Sequence, residues 1–196
     1  MNLEPVTLAG TGVRLEPLDL RHADDLAETT YDPETWRYHG VGDLTTRAAL
    51  EAFIVSIQDE PARGIGLNFA IVSLASGRAV GATALWDVSL SHHRAEIGRT
   101  WLHPETRRTG VNTEAKLLLF THAFETLGMV RVQLKTDSRN AVSRRGIERL
   151  GAVYEGTLRA HMILHNGERR DTAYYSVLTD EWNAVKQTLE VRLTAG

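Results

Sequence analysis

The chain has 196 residues, 42% hydrophobic and 24% charged, which excludes wholesale disorder and allows one sizeable core. With no cysteine there can be no disulfide framework, thiol nucleophile or thiolate zinc site. The opening Met1-Asn2-Leu3-Glu4-Pro5 has no signal-peptide pattern, and the longest apolar run, Leu117 to Phe120, is far short of the roughly 20 residues that span a bilayer. The expectation is therefore a cytoplasmic protein with no membrane association. Residues 1–98 carry seven Lys/Arg against fourteen Asp/Glu, whereas residues 99–149 carry ten against five. That positive island reads as a pocket for a polyanionic ligand, and its few aromatics (Trp101, Phe120, Phe124) argue against nucleic acid.

Val13 to Leu18 alternates apolar and polar residues and predicts a first strand, followed by a short helix capped by Asp19 and running to about Thr29. Residues 31–43 are an aromatic-rich loop. Thr45-Thr46 opens a helix with Ala49, Leu50, Phe53, Ile54 and Ile57 on one face, ended by Pro61 and Gly64. Strands are predicted at 68–74, 79–86 and 94–102, the last stopped by Pro104. A helix follows from Thr113 to Leu127, with Gly128 as its stop. A strand at 130–136, a helix at 140–150, and two strands at about 152–164 and 170–178 around the Asn166-Gly167 turn come next. The last helix starts near Asp180 and carries Trp182, Val185, Leu189 and Leu193. Seven strands in the order β-α-α-β-β-β-α-β-α-β-β-α predict a mixed α/β sheet with helices on both faces, in one domain over 13–182 that the helix at 183–196 continues.

One βαβ crossover, 94–136, holds a ligand-like turn. Arg107, Arg108, Thr109, Gly110, Val111, Asn112 and Thr113 feed straight into a helix, so free backbone N–H groups and the positive helix end are available to phosphate. The turn is neither a Walker loop nor a dinucleotide fingerprint; the bland alternative is an ordinary helix start. Arg107-x-x-Gly110-x-Asn112 resembles the pyrophosphate loop of the GNAT superfamily of N-acetyltransferases. Glu96-Ile97-Gly98, Leu102-x-Pro104-Glu105, Asn140-x-x-Ser143, Leu150-Gly151-Ala152 and Asn166-Gly167 with Arg170-Asp171 are similar to its RimJ/RimL branch, which contains ribosomal-protein N-terminal acetyltransferases. The resemblance covers about residues 13–182 and implies a GNAT-type, mostly antiparallel sheet and acetyl-CoA as co-substrate. Asn112 departs from it, standing where most of the superfamily has Gly or Ala. Asn tolerates unusual backbone angles and can cap a helix, so the loop can survive, and a side chain able to crowd the pyrophosphate bears on acetyl-CoA affinity rather than on fold.

Acetyl transfer from a thioester to an amine needs a base for the amine, a donor for the oxyanion and a proton for the thiolate. Glu96 is the candidate base, its spacing from Arg107 matching a carboxylate that serves so in part of the superfamily. The alternative is a solvent-facing glutamate, or one paired with Arg94 or Arg131. A backbone N–H at Leu102 or His103 is the candidate oxyanion donor, and the resemblance implies that Trp101 to His103 bonds the pantetheine arm. The tyrosine that many members use as acid is here Ile147, so Ser143 is the candidate to protonate the sulfur. Asn140 is expected to bond pantetheine and cap its helix, and Arg144 or Arg145 to reach the CoA 3′-phosphate. Tyr31, Trp36, Tyr38 and Asp171 are the acceptor-side candidates, and no metal site is expected. The sequence thus reads as an N-acetyltransferase acting on a small or peptide amine, the acidic first half leaning toward a cationic acceptor, with a homodimer possible. The rival is a CoA-binding sensor without turnover.

Overall fold

In a computed structural model that describes residues 3–194, eight strands form one sheet. They are β1 (Leu8–Ala9), β2 (Val13–Pro17), β3 (Leu67–Ser73), β4 (Ala79–Ser89), β5 (Arg94–Leu102), β6 (Arg131–Asp137), β7 (Val153–Ile163) and β8 (Arg169–Leu178). Their spatial order is β1-β2-β3-β4-β5-β6-β8-β7, antiparallel throughout except for the parallel pair β5–β6. The seven expected strands are all present; β1, the eighth, is too short to show any periodicity.

Helices α1 (Ala23–Thr30), α2 (Pro33–Trp36) and α3 (Arg47–Ser56) connect β2 to β3; α4 (Val111–Thr121) connects β5 to β6, α5 (Ala141–Arg149) connects β6 to β7, and α6 (Trp182–Thr194) follows β8. The stretch expected as an irregular loop contains α2, one turn started by Asp32, whose carboxylate accepts the Glu34 N–H, with Pro33 at the first helical position. Helix α4 begins at Val111, two residues earlier than expected, because its cap is Gly110 and no side chain marks it. It runs into a π-helical turn, His122–Thr126. The last helix was expected to reach 196; residues 195 and 196 lie outside the described residues.

Period-two alternation gives the sheet two dry faces. Leu15, Phe69, Ile71, Leu85, Ile97, Leu134, Tyr175 and Val177 meet Leu119 and Phe120 of α4, Ile147 of α5 and Trp182 and Leu189 of α6. On the other face Ala70, Val72, Ala82 and Trp101 meet Leu26 of α1, Trp36 of α2 and Leu50 and Ile54 of α3. Helices α1 to α3 belong to this second cluster with β3 to β5. On the same face β6 and β8 carry the polar residues Gln133, Lys135, Thr172 and Tyr174.

Candidate active site

Strands β5 and β6 pair only at Arg94↔Arg131, Ala95↔Val132 and Glu96↔Gln133, yet β5 runs on to Leu102 and β6 to Asp137. Beyond Glu96 the two strands part, leaving main-chain groups along both inner edges. A bulge in β5 contributes: Arg99, at φ 49, and Thr100 together oppose the single Thr83 of β4. Glu96 therefore stands at the fork.

Its carboxylate is buried and fully engaged. Trp86 Nε1–H donates to Oε1 at 3.1 Å, Gln133 Nε2–H to Oε2 at 3.0 Å, and Lys135 Nζ lies 3.0 Å from Oε2. Burial pushes the Glu96 pKa above the ordinary carboxylate value, with the Lys135 ammonium opposing. The ion-pair partner is thus Lys135. Arg94 instead pairs with Asp87 at 2.8 Å and Arg131 with Glu155 at 2.5 Å. Gly98 leaves room for this arrangement, since a Cβ there would lie 2.7 Å from Trp86 Nε1. Trp86 is flanked by two cations, Arg99 at 4.4 Å and Lys135 at 4.8 Å. Arg99 is itself held by Glu60 at 2.7 Å and Asn68 at 3.0 Å.

At the far end of β5, His103 N–H donates to Val80 O at 2.8 Å, so it is not free for an oxyanion, contrary to expectation. Main-chain groups of successive strand residues turn to opposite edges, which directs the Leu102 N–H into the opening. Trp101 is buried against Trp36, its indole N–H donating to Thr29 Oγ1 at 3.1 Å, and its side chain serves the core. His39 reaches the same open edge: Nε2–H donates to Thr100 O at 3.3 Å, which leaves Nδ1 as a buried acceptor without a partner. Burial lowers the His39 pKa to about 4, so the ring is neutral at physiological pH.

The loop before α4 is ordered by its own side chains. Thr109 Oγ1–H donates to Thr106 O at 2.7 Å and accepts the Val111 N–H, Arg108 lies in the left-handed region at φ 65, and Arg107 donates to Thr35 Oγ1 at 2.9 Å, tying the loop to α2. Gly110 caps the helix, and the N–H groups of Asn112 and Thr113 have no partner among the described residues. Asn112 Oδ1 is buried without a donor. In the second turn Lys116 turns inward, its ammonium donating to Thr83 Oγ1 at 2.9 Å and Thr100 Oγ1 at 2.6 Å.

Across the opening, Asn140 Oδ1 accepts the Ser143 N–H at 3.0 Å, capping α5, and Ser143 is half-buried. Arg144 is committed to Tyr175 Oη at 2.9 Å, while Arg145 is exposed; Ile147, at the position the tyrosine would take, is core. The acceptor-side candidates scatter. Trp36 is fully buried with its N–H on Thr30 O at 2.8 Å, and cannot meet a ligand; Tyr31 is exposed; the Tyr38 ring lies 5.4 Å from both Arg37 and Arg139. Asp171 ties the last hairpin, Oδ1 accepting the Ala160 N–H at 2.6 Å.

Lys135, Gln133 and Trp86 went unnoticed in the sequence, although the alternation of Arg131-Val132-Gln133-Leu134-Lys135 already places Gln133 and Lys135 on one face. His39 stands in the aromatic-rich loop as a further acceptor-side candidate, but nothing local marks its bond to Thr100 O, and nothing local marks Lys116. Among the described residues no group of three or more His, Asp or Glu side chains is arranged to hold a metal ion, and no helix is long and apolar enough to cross a membrane.

A family model described as an acetyltransferase (GNAT) domain matches residues 13–153. The chain is 34% identical to a GCN5-related N-acetyltransferase from Brucella melitensis, whose crystal structure superposes with a TM-score of 0.88 over 97% of this chain and 86% of that one. It is 35% identical over 113 residues to "Putative ribosomal N-acetyltransferase YdaF" of Bacillus subtilis (strain 168), a match that spans 58% of this chain and 61% of that protein. An "Uncharacterized N-acetyltransferase p20" of Bacillus licheniformis is 26% identical over 176 residues, 90% of this chain and 98% of that one. With a match over most of its length and a parted β5–β6 pair at the centre of its sheet, the chain belongs to the GNAT acetyltransferase family.

Proposed function

We propose that this acetyltransferase moves an acetyl group from acetyl-CoA to a primary amine, a peptide N-terminus or a small amine, by direct attack within the opening between β5 and β6. The observation that carries the reading is Glu96, a buried carboxylate at the fork of two strands whose inner edges lead to a phosphate-suited helix start. The residues present fit the co-substrate: unpaired N–H groups of Asn112 and Thr113 suit a pyrophosphate, and the buried Asn112 Oδ1 is an acceptor in want of a donor. Arg107, Arg108, Thr109, Gly110, Val111, Asn112 and Thr113 would hold the phosphates, Arg145 the 3′-phosphate, and Leu102, Asn140 and Ser143 the pantetheine arm. Acetyl-CoA supplies the thioester whose carbonyl carbon the amine attacks, with the CoA thiol as leaving group.

The chain's own task is to move protons and hold charge. An acceptor amine enters mostly as an ammonium ion. It can take the place of Lys135 at Glu96 Oε2 and leave its proton there, the raised pKa making Glu96 a stronger base than an exposed glutamate. The Leu102 N–H would donate to the oxyanion, and Ser143 would meet the sulfur.

Glu96→Gln tests the assignment. It should lower kcat/KM about a hundredfold or more, within the usual range for a lost general base, while acetyl-CoA affinity by calorimetry stays within about twofold. The wild-type kcat/KM should fall as pH drops through the raised Glu96 pKa, and the variant should lose that limb. A variant with wild-type turnover removes Glu96 from the chemistry. No turnover in the wild type, with acetyl-CoA bound, would instead favour a sensor.

A further inference from the structure

A cavity of about 1020 Å³ lies beside the β7–β8 hairpin, between the bulge of β7 and the segment joining β6 to α5. Strand register slips between Leu158 and Met162, and the bulge is held in a specific shape: Ala160 sits at φ 50, and Asp171 accepts its N–H. A non-glycine residue in that region is costly and persists only where its surroundings impose it.

The charge of this groove is unbalanced. Asp171 spends its carboxylate on the Ala160 N–H. Arg139 is neutralised by Asp137 at 2.9 Å and Glu168 at 2.8 Å. Burial lowers the pKa of His161, so it adds no charge at neutral pH. Arg159 and Arg169 remain, both exposed, neither with a carboxylate within ion-pair reach among the described residues. Elsewhere Arg14, Arg21, Arg47, Arg78, Arg94, Arg99 and Arg131 each hold a carboxylate. Besides the groove pair, arginines without a carboxylate partner among the described residues lie in the loop before α4 (Arg107, Arg108), along α5 (Arg144, Arg145, Arg149), and at Arg170 and Arg192, which donate to main-chain carbonyls.

Side chains connect the groove to Glu96. His161 contacts Thr172 Oγ1 at 3.1 Å and Tyr174 Oη at 3.3 Å, the Tyr174 ring lies 5.9 Å from Lys135 Nζ, and Lys135 reaches Glu96. Gln133, the neighbour of Glu96, is five residues from Ser138, the first residue lining the groove, roughly 16 Å at the usual strand rise. That exceeds the reach of a compact amine and equals four to five residues of extended peptide.

We propose that the groove is a second acceptor subsite, in which Arg159 and Arg169 receive acidic side chains four to five residues from the N-terminus of a peptide whose amine lies at Glu96. The proposal rests on the acetyl-transfer reading above. It opposes the lean toward a cationic acceptor drawn from the charge of residues 1–98, because the groove is built from residues 138–171. An RNA strand suits it less, since no tryptophan, tyrosine or phenylalanine lines the cavity for bases to stack on.

Three decapeptides with free N-termini, carrying glutamate, glutamine or lysine at their fourth and fifth positions, provide the test. With acetyl-CoA and wild-type protein, kcat/KM should rank glutamate over glutamine by about tenfold, and lysine last, with the spread shrinking as salt is raised. In Arg159→Gln/Arg169→Gln, glutamate and glutamine peptides should become equal within twofold. Both arginines are exposed, and matching melting curves would show that the variant is folded. Equal rates in the wild type, or a preference that survives in the variant, would overturn the proposal.

If no peptide is acetylated, the amine-transfer reading fails by itself. Fluorescence anisotropy of the same peptides, labelled at the C-terminus, then decides the groove. Tighter binding of the acidic peptide that the variant loses supports it, and no difference between peptides overturns it. Binding of a twelve-nucleotide single-stranded RNA more tightly than the acidic peptide, lost in the variant, would also overturn it.

Discussion

Lys116 carries an ammonium group into the core with only two threonine hydroxyls as partners, and burial lowers its pKa to about 7. Because the folded-state pKa lies below the ordinary lysine value, the unfolded chain binds more protons between about pH 7 and 10.5, and Lys116 opposes folding most at or below neutral pH. Lys116→Met should therefore raise Tm by several degrees at pH 6.5, the gain shrinking toward pH 9.5. Thermal melts at the two values check this, and a gain that grows with pH would show that the lysine is charged and well satisfied in the fold. An aromatic in a loop can meet an acceptor or cover the core, and Trp36 does the second, its fully buried indole packing against Trp101 and His39. Trp36→Ala should cost about 3–5 kcal/mol in urea unfolding, as large cavities in cores do.

At the scale of elements, the start of α4 depends on a clamp from a distant turn. Glu114 accepts from the Thr11 hydroxyl at 2.9 Å, the Gly12 N–H at 3.0 Å and the Val13 N–H at 3.0 Å, and also from the Thr11 N–H, locking the β1–β2 turn onto the helix that presents the phosphate-suited groups. Glu114→Ala would strip the acceptor from three backbone donors, of which the Val13 N–H is buried and costs about 1–3 kcal/mol when left unpaired. The expected result is a loss of about 1–3 kcal/mol in stability, with a weakened acetyl-CoA affinity because the first turn of α4 loosens. Gly10→Ala should act in the same direction, as its Cβ would lie 2.4 Å from Glu114 Oε1 and 2.8 Å from Val13 O. Unchanged stability in both variants would show that the clamp is dispensable. The role of Glu114 is not legible in the sequence, because its partners are about a hundred residues away.

Over the whole molecule, what the sequence discloses depends on how local the cause is. Alternation from Arg131 to Thr136 and the stop at Gly128 act over a few residues, so the strand and the helix end are predicted close to where they form. The parallel pairing of β5 and β6 follows nearly as directly from the crossover helix between them, whereas no local signal puts β8 between β6 and β7. The surroundings of Glu96 are less legible, because it meets Lys135, Gln133 and Trp86 only through strand register, and His39 reaches Thr100 only through the packing of a loop on an open edge. The bulge at Arg159 to His161 depends on a register slip that no spacing in the chain announces.

Asn112 stands where these scales meet, a single residue whose side chain decides whether a co-substrate enters the whole fold. Its amide oxygen is buried without a donor in the free protein, so a bound pantetheine or ribose donor would satisfy a group that is otherwise costly. Binding to the folded state alone stabilises it by mass action, about 2.7 kcal/mol at a hundredfold excess over Kd. For a domain of this size that corresponds to a Tm rise of roughly 5–10 °C. Acetyl-CoA should produce such a rise, and ATP at the same concentration should not. Asn112→Gly then separates two roles: a smaller rise in the variant means that the side chain contributes to binding, whereas a rise seen only in the variant means that Asn112 closes the loop, and the enzyme reading would fall with it.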